Sequence, residues 1–134
     1  MNTIERLLAL DAGEIEMPTA IHKMYCKKLG GNYEFEIRAI DPEKLGSIQE
    51  KAVELKQGDI ESVKIYSTKI LTILEGCPMF KNKDLLEHFG SPTPKELIKK
   101  LLLAGEMDSL KDAIDELSAI TTNKDEDMDE EIKN

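Results

Sequence analysis

Residues 30–48 read GGNYEFEIRAIDPEKLGSI, and the spacing of their apolar residues changes partway along. Apolar and charged residues alternate over residues 33–39, which is the two-residue period of a strand with one buried face. The glycines ahead of this strand supply the positive φ values that a tight turn requires. Asp41 can then cap a helix whose first position is Pro42. The stretch therefore predicts an antiparallel β-hairpin over about residues 20–40, followed by a helix.

Helical periodicity of the apolar residues dominates the rest of the chain. Gly76, Gly90 and Gly105 stand where these periodic segments stop, as expected of residues that end helices. Thr93 and Glu96 have the spacing of a capping box at the start of another helix. The helices are predicted over residues 2–10, 42–58, 59–76, 84–89, 94–104 and 107–120.

The end of the chain differs from the rest in composition. Residues 121–134 contain six acidic residues and two lysines, and they offer no apolar face that a core could bury. We therefore predict that residues 121–134 form a disordered acidic C-terminal tail. Residues 1–120 are predicted to form a single compact helical domain, mainly α with a small N-terminal antiparallel β-hairpin, which places the fold in the α+β class.

Length and charge exclude several classes of function. A chain of 134 residues suffices for one domain. Its 18 basic and 27 acidic residues give a net charge of −9, which repels nucleic-acid phosphates. The longest apolar run, residues 70–74, is far shorter than the roughly 20 residues of a membrane span. Cys26 and Cys77 are too few for a disulfide scaffold, and we expect reduced thiols in a cytoplasmic protein. No nucleic-acid or membrane partner is predicted.

The residues that could carry chemistry form no recognisable motif. His22 and Cys26 lie in the predicted hairpin, and Cys77 and His88 lie further along with a spacing that does not match zinc sites. The sequence contains no phosphate-binding glycine loop and no nucleophile motif. We therefore predict no catalytic residue, no metal site and no cofactor. A small hydrolase that acts through scattered carboxylates and His88 remains one alternative.

The helix predicted over residues 94–104 has an apolar stripe wider than one core contact needs, with lysines on the opposite side. The final helix adds a similar stripe. Either another helix of the same domain covers these residues, or part of the stripe binds another protein. The residues predicted to bind a partner are Leu97, Ile98, Leu101, Leu102, Leu110, Ile114 and Leu117.

Several short motifs occur in an order that resembles a known family. They are ILEGCP at residues 73–78, LLEHFG at 85–90, TPKELIKKLL at 93–102 and AGEM at 104–107, followed by Leu117-Ser118. In their order and spacing, over about residues 4–120, they resemble the XkdN-like tail assembly chaperones of phages and phage-like elements of Gram-positive bacteria. Members of that family often have Gly-Phe after the Leu-Ser pair, where this chain has Ala119-Ile120.

The resemblance implies a helper of tail assembly that is not an enzyme. Such a protein binds the tape measure protein, keeps it soluble, recruits tail-tube subunits and is absent from the finished tail. A generic cytoplasmic adaptor or an antitoxin-like regulator, using the same helices on another protein, remains the main alternative. The sequence leaves homo-oligomer formation open.

Overall fold

A computed structural model describes residues 2–58 and 61–120, with side-chain environments for residues 2–51 and 68–120. The predicted hairpin is present: strands β1 (Thr19–Cys26) and β2 (Gly31–Arg38) pair antiparallel, from Thr19 opposite Arg38 to Cys26 opposite Gly31. The turn between the strands is formed by residues 27–30 and so ends at the first glycine of the pair. Only Gly30, at a φ of 69°, has a left-handed backbone in this turn, and Gly31 already belongs to β2.

The mainly α prediction is confirmed. The structure contains six described helices, which are α1 (Thr3–Leu8), α2 (Pro42–Gly58), α3 (Glu61–Gly76), α4 (Lys83–His88), α5 (Pro94–Leu101) and α6 (Ala104–Leu117). Single turns of 3-10 helix at Ala12–Glu14 and Pro78–Lys81 were not predicted. Each described helix is too short or too polar to span a bilayer. The predicted tail, residues 121–134, lies outside the described residues.

Side-chain caps explain why several helices begin where they do. Asp41 Oδ1 accepts from the backbone N–H of Glu43 at 2.9 Å at the start of α2. Thr93 Oγ1 accepts from the N–H of Glu96 at 3.3 Å at the start of α5. These bonds satisfy N–H groups that have no partner inside a helix. Both caps occur at residues where the sequence predicted them.

The boundary between α5 and α6 was predicted wrongly. The sequence suggested one helix up to Ala104 and a break at Gly105, but α5 ends at Leu101 and α6 already begins at Ala104. The physical reason is Glu106, whose Oε1 accepts from the backbone N–H of Leu103 at 2.9 Å. This contact caps a new helix from its third position, so Gly105 lies inside the first turn of α6.

The core lies where the inner face of the hairpin meets α3, α5 and α6. Phe35 of β2 stacks on Phe80, with ring centroids 6.1 Å apart and an interplanar angle of 18°. Alternation along β2 buries Phe35 and Ile37 and leaves Glu34 and Glu36 exposed, as the two-residue period predicts. Aliphatic residues fill most of this core, in agreement with the low aromatic content.

Candidate partner-binding surface

The seven predicted partner-binding residues lie together, and six of them are buried within the chain. The buried six are Leu97, Ile98, Leu101, Leu102, Leu110 and Ile114, while Leu117 is partly buried against the same core. The wide stripe is thus covered by other elements of the same domain, the first of the two alternatives that the sequence left open. Partner binding by these residues stays a prediction, and it would require α5 and α6 to move away from the core.

Gly76 at the end of α3 permits a close approach to α6. A Cβ atom added to Gly76 would lie 2.5 Å from Ile114 Cγ2, and Ile114 is fully buried. An ion pair between Lys69 and Asp108 joins the same two helices. The sequence predicted Gly76 only as a helix end, because contact between residues far apart in sequence leaves no local pattern.

Glu106 connects the hairpin turn to the start of α6. In addition to Leu103, its carboxylate accepts from the backbone N–H of Lys27, at 3.0 Å from Oε2. The bonds from Leu103 and Lys27 hold the pKa of Glu106 below its ordinary value, and the charges of Lys27 and Lys28 act in the same direction. The folded state therefore favours the ionised carboxylate over the protonated form.

Ser118 has a comparable role at the other end of α6. Its Oγ accepts from the backbone N–H of Ile40 at 2.9 Å and donates to the carbonyl of Ile114 at 2.7 Å. It thereby joins Ile40, two residues beyond the end of β2, to the last turn of α6. The Leu-Ser pair that contributed to the family likeness thus has a structural function.

The cysteines and histidines are not brought together as a reactive centre. Burial raises the pKa of the Cys77 thiol to about 12, and burial together with the charge of Glu106 raises the pKa of Cys26. His22 Nε2 lies 3.0 Å from Ser109 Oγ, and the ring of His88 packs edge-on against Phe89. Among the residues whose side chains are described, 2–51 and 68–120, no group of three His, Cys, Asp or Glu could hold a metal ion.

A surface groove of about 430 Å³ lies beside α4. Its walls are Lys83, Leu86, Glu87, Gly90, Ser91 and Pro92. His88, the base proposed for a hydrolase, does not line this groove. Its walls contain one hydroxyl group, that of Ser91, and one carboxylate, that of Glu87, but no histidine that could act as a base. The groove therefore gives no support to the hydrolase alternative.

Exposed apolar side chains concentrate in residues 2–17, which we call the N-terminal arm. They are Ile4, Leu7, Leu8, Leu10, Ile15 and Met17, with exposed fractions between 44% and 79%. Helix α1 has no buried residue, and its N-cap bond, from Glu5 N–H to Asn2 Oδ1, is local. The sequence predicted this helix but not a surface. The sequence feature that could have indicated this surface is the apolar stripe on a helix too short to be stable alone.

These features define a small α+β domain whose most exposed apolar residues lie outside its core, in a segment suited to contact with another protein. The chain matches the family of phage XkdN-like tail assembly chaperone proteins over residues 4–133, and it belongs to this family. No curated protein and no solved structure matches it. The family is one of phage tail assembly chaperones, so its partners are proteins of the tail.

The match extends further than the likeness predicted from the motifs, which ended near residue 120. It includes residues 121–133, which belong to the acidic segment at the end of the chain. Within the domain, the residues that carry the likeness have structural roles: Gly76 permits close packing, Thr93 and Glu106 cap helices, and Ser118 joins two elements.

Proposed function

We propose that this chain binds the tape measure protein of its phage or phage-like element, keeps that protein soluble and recruits tail-tube subunits to it. The chain acts in the cytoplasm of the bacterial host and is absent from the finished tail. The observation that carries this proposal is the family match over residues 4–133. The tape measure protein is called the client below.

The physical properties of the chain suit this role. A chaperone of an amphipathic client needs apolar contact that can be released, and the N-terminal arm offers apolar side chains that the core does not require. A net charge of −9 makes copies of this chain repel one another, which opposes aggregation. Because the chaperone must leave as the tube grows, we expect a small interface of modest affinity.

Co-expression tests the proposal directly. The client encoded by the same element is produced with this chain, without it, or with an unrelated acidic protein of similar size and charge. We expect the client to be soluble and to co-purify with this chain only in the first case. Mass spectrometry of finished tails should detect the client and the tube protein but not the chaperone. A client equally soluble in all three cultures, or a chaperone retained in tails, would contradict the proposal.

The seven predicted partner-binding residues require a separate test, because substitutions at buried positions such as Leu97 or Leu110 would unfold the domain. Hydrogen exchange of the backbone amides in α5 and α6 is measured with and without client. If these helices open to bind it, their amides should exchange faster in the complex. Exchange of these amides that is the same with and without client would restrict the seven residues to a role in the core.

A further inference from the structure

We propose that the N-terminal arm is the docking element for the client, and that its occupant is an amphipathic helix with an apolar stripe flanked by Lys and Arg. The inference rests on the proposed function and specifies the surface and the chemistry of the contact. Three observations support it: the exposure of the arm, its separation from the core, and its charge.

The first observation is exposure. Ile4, Leu7 and Leu8 lie three and four residues apart, so they share one face of α1, and they are 68%, 60% and 79% exposed. Leu10 and Ile15 extend the exposed apolar surface beyond the helix. An apolar face of this kind is typical of helices that bind a complementary apolar groove or helix.

The second observation is that the arm contributes nothing to the core. Among the described residues, the hydrophobic core contains no residue before Met24. Pro18, the residue after the arm, is joined to the end of the hairpin by a backbone hydrogen bond, in which Ala39 N–H donates to the carbonyl of Pro18 at 2.9 Å. The arm can therefore change partners or conformation without any rearrangement of the domain.

The third observation is charge, and it selects the occupant. The arm carries Glu5, Asp11, Glu14 and Glu16 against Arg6, so its side chains have a net charge of −3. An acidic rim favours a partner whose apolar stripe is bordered by basic residues. A second copy of the chain would bring one acidic arm against another on molecules of net charge −9. A lipid surface calls for a polar face rich in Lys and Arg, which this arm lacks.

The test uses the full chain and overlapping peptides that cover the client sequence, with binding measured by fluorescence anisotropy. The arm variant carries Leu7→Glu and Leu8→Glu. The control carries Leu103→Glu, at an exposed apolar residue in the link between α5 and α6. We expect peptides with a basic-flanked apolar stripe to bind the native chain, and the arm variant to bind them at least about tenfold more weakly. The control should bind as the native chain does.

A second variant, Glu14→Lys with Glu16→Lys, tests the charge of the occupant. We expect weaker binding, with a smaller loss of affinity on adding salt than in the native chain. Urea unfolding of both variants of the arm should match the native chain, because the arm is not packed in the core. Tighter or unchanged binding by the charge variant would overturn the assignment of an occupant flanked by Lys and Arg.

The outcomes separate this inference from the proposed function. If the native chain binds neither the peptides nor the whole client, the proposed function fails, and the inference fails with it. If the native chain binds and the arm variant binds equally well, the function stands and the arm assignment is overturned. Equal losses of binding affinity in the arm variant and the Leu103→Glu control would also overturn the arm assignment. Sedimentation that shows self-association lost in the arm variant would identify a second copy as the occupant and overturn the client assignment.

Discussion

Ala119 has a left-handed backbone conformation, with a φ of 61°, just after α6 ends at Leu117. Such a conformation costs an L-residue roughly 1–2 kcal/mol, whereas glycine adopts it freely. Ala119→Gly should therefore raise the free energy of unfolding by about 0.5–1 kcal/mol, after allowance for the greater freedom of glycine in the unfolded chain. Urea unfolding at neutral pH measures this change.

The matched control for this prediction is Gly90, which has a φ of 60° and open space where the Cβ atom of an alanine would lie. Gly90→Ala should lower the free energy of unfolding by about 1 kcal/mol, because it introduces the strain that Ala119→Gly removes. A loss of stability in Ala119→Gly would show that backbone strain does not govern this helix end.

Gly76→Ala should destabilise the protein. The added Cβ would meet the side chain of Ile114, which is fully buried and β-branched and so cannot rotate away freely. Overpacking of this kind costs about 1–3 kcal/mol, which exceeds the gain of up to about 1 kcal/mol from the better helix former. Chemical denaturation gives the difference in free energy of unfolding.

Gly105→Ala is the corresponding control, because Gly105 also lies in a helix but has open space around it. It should leave stability unchanged or raise it slightly. In a double-mutant cycle, Ile114→Ala should cost less in the Gly76→Ala background than in the native chain, since it removes the clash. Additive effects of Gly76→Ala and Ile114→Ala would argue against direct contact between these positions.

Single residues show where local sequence patterns stop being informative. Asp41 and Thr93 were predicted as caps, because a cap acts on an N–H only two or three residues away. The role of Gly76 depends on Ile114, 38 residues further along, and the role of Glu106 depends partly on Lys27, 79 residues away. Contacts at such separations cannot be read from periodicity.

At the scale of elements, Glu106→Gln should weaken the junction between the hairpin turn and α6. Glutamine has one acceptor oxygen, so it cannot replace both carboxylate bonds, to Leu103 and to Lys27. Folding lowers the pKa of Glu106, so its contribution to stability is present above the pKa of the unfolded chain and is lost as pH falls through the folded pKa. The variant should therefore be less stable than the native chain at neutral pH.

The pH dependence distinguishes this effect from a general loss of packing. Urea midpoints of the native chain and of Glu106→Gln are compared from pH 7 down to about pH 3. The difference between them should shrink as the pH falls and Glu106 of the native chain takes up a proton. A difference that stays constant over this range would mean that the ionised carboxylate does not stabilise the junction.

The elements themselves were largely predictable, but the division between α5 and α6 was not. Residues 94–117 have nearly continuous apolar periodicity, and Gly105 was the natural place for a break. The helical conformation is interrupted at Leu102 and Leu103 instead, where the backbone is extended, with ψ values of 146° and 163°. The carboxylate of Glu106 secures the new helix start, and its acidic character alone does not distinguish it from neighbouring acids in the sequence.

For the whole molecule, we predict that residues 121–134 do not contribute to the stability of the domain. A chain that ends at Ile120 loses side chains with a net charge of −4, which changes the formal charge from −9 to −5. At about 0.15 M salt, where exposed charges are screened, its free energy of unfolding should stay within about 0.5 kcal/mol of the native value.

The control keeps the length of the chain and replaces the six acidic residues of this segment by Asn and Gln. A large loss of stability on truncation, but not on neutralisation, would indicate that the segment packs on the domain and would contradict its assignment as a separate tail. The family match to residue 133 makes this comparison informative, because a family pattern can extend over a segment for functional reasons alone.

The whole fold was more predictable than the candidate site for a physical reason. Hairpin and helices follow from apolar spacing and caps, and the same apolar spacing marks any helix that must be covered. Apolar spacing does not show whether such a helix is covered by the rest of the chain or by a partner protein. The stripe through Leu97 and Leu110 is covered internally, while the shorter stripe through Ile4 and Leu8 is left exposed.

The separation of the N-terminal arm from the core has a consequence for evolution. Substitutions at Leu7 or Glu14 alter a surface without disturbing a packed interior, so selection can change them while the domain keeps its stability. Such a segment could be exchanged between related chaperones as a unit. Under the docking proposal, lineages with diverging tape measure proteins would keep one scaffold and vary the arm.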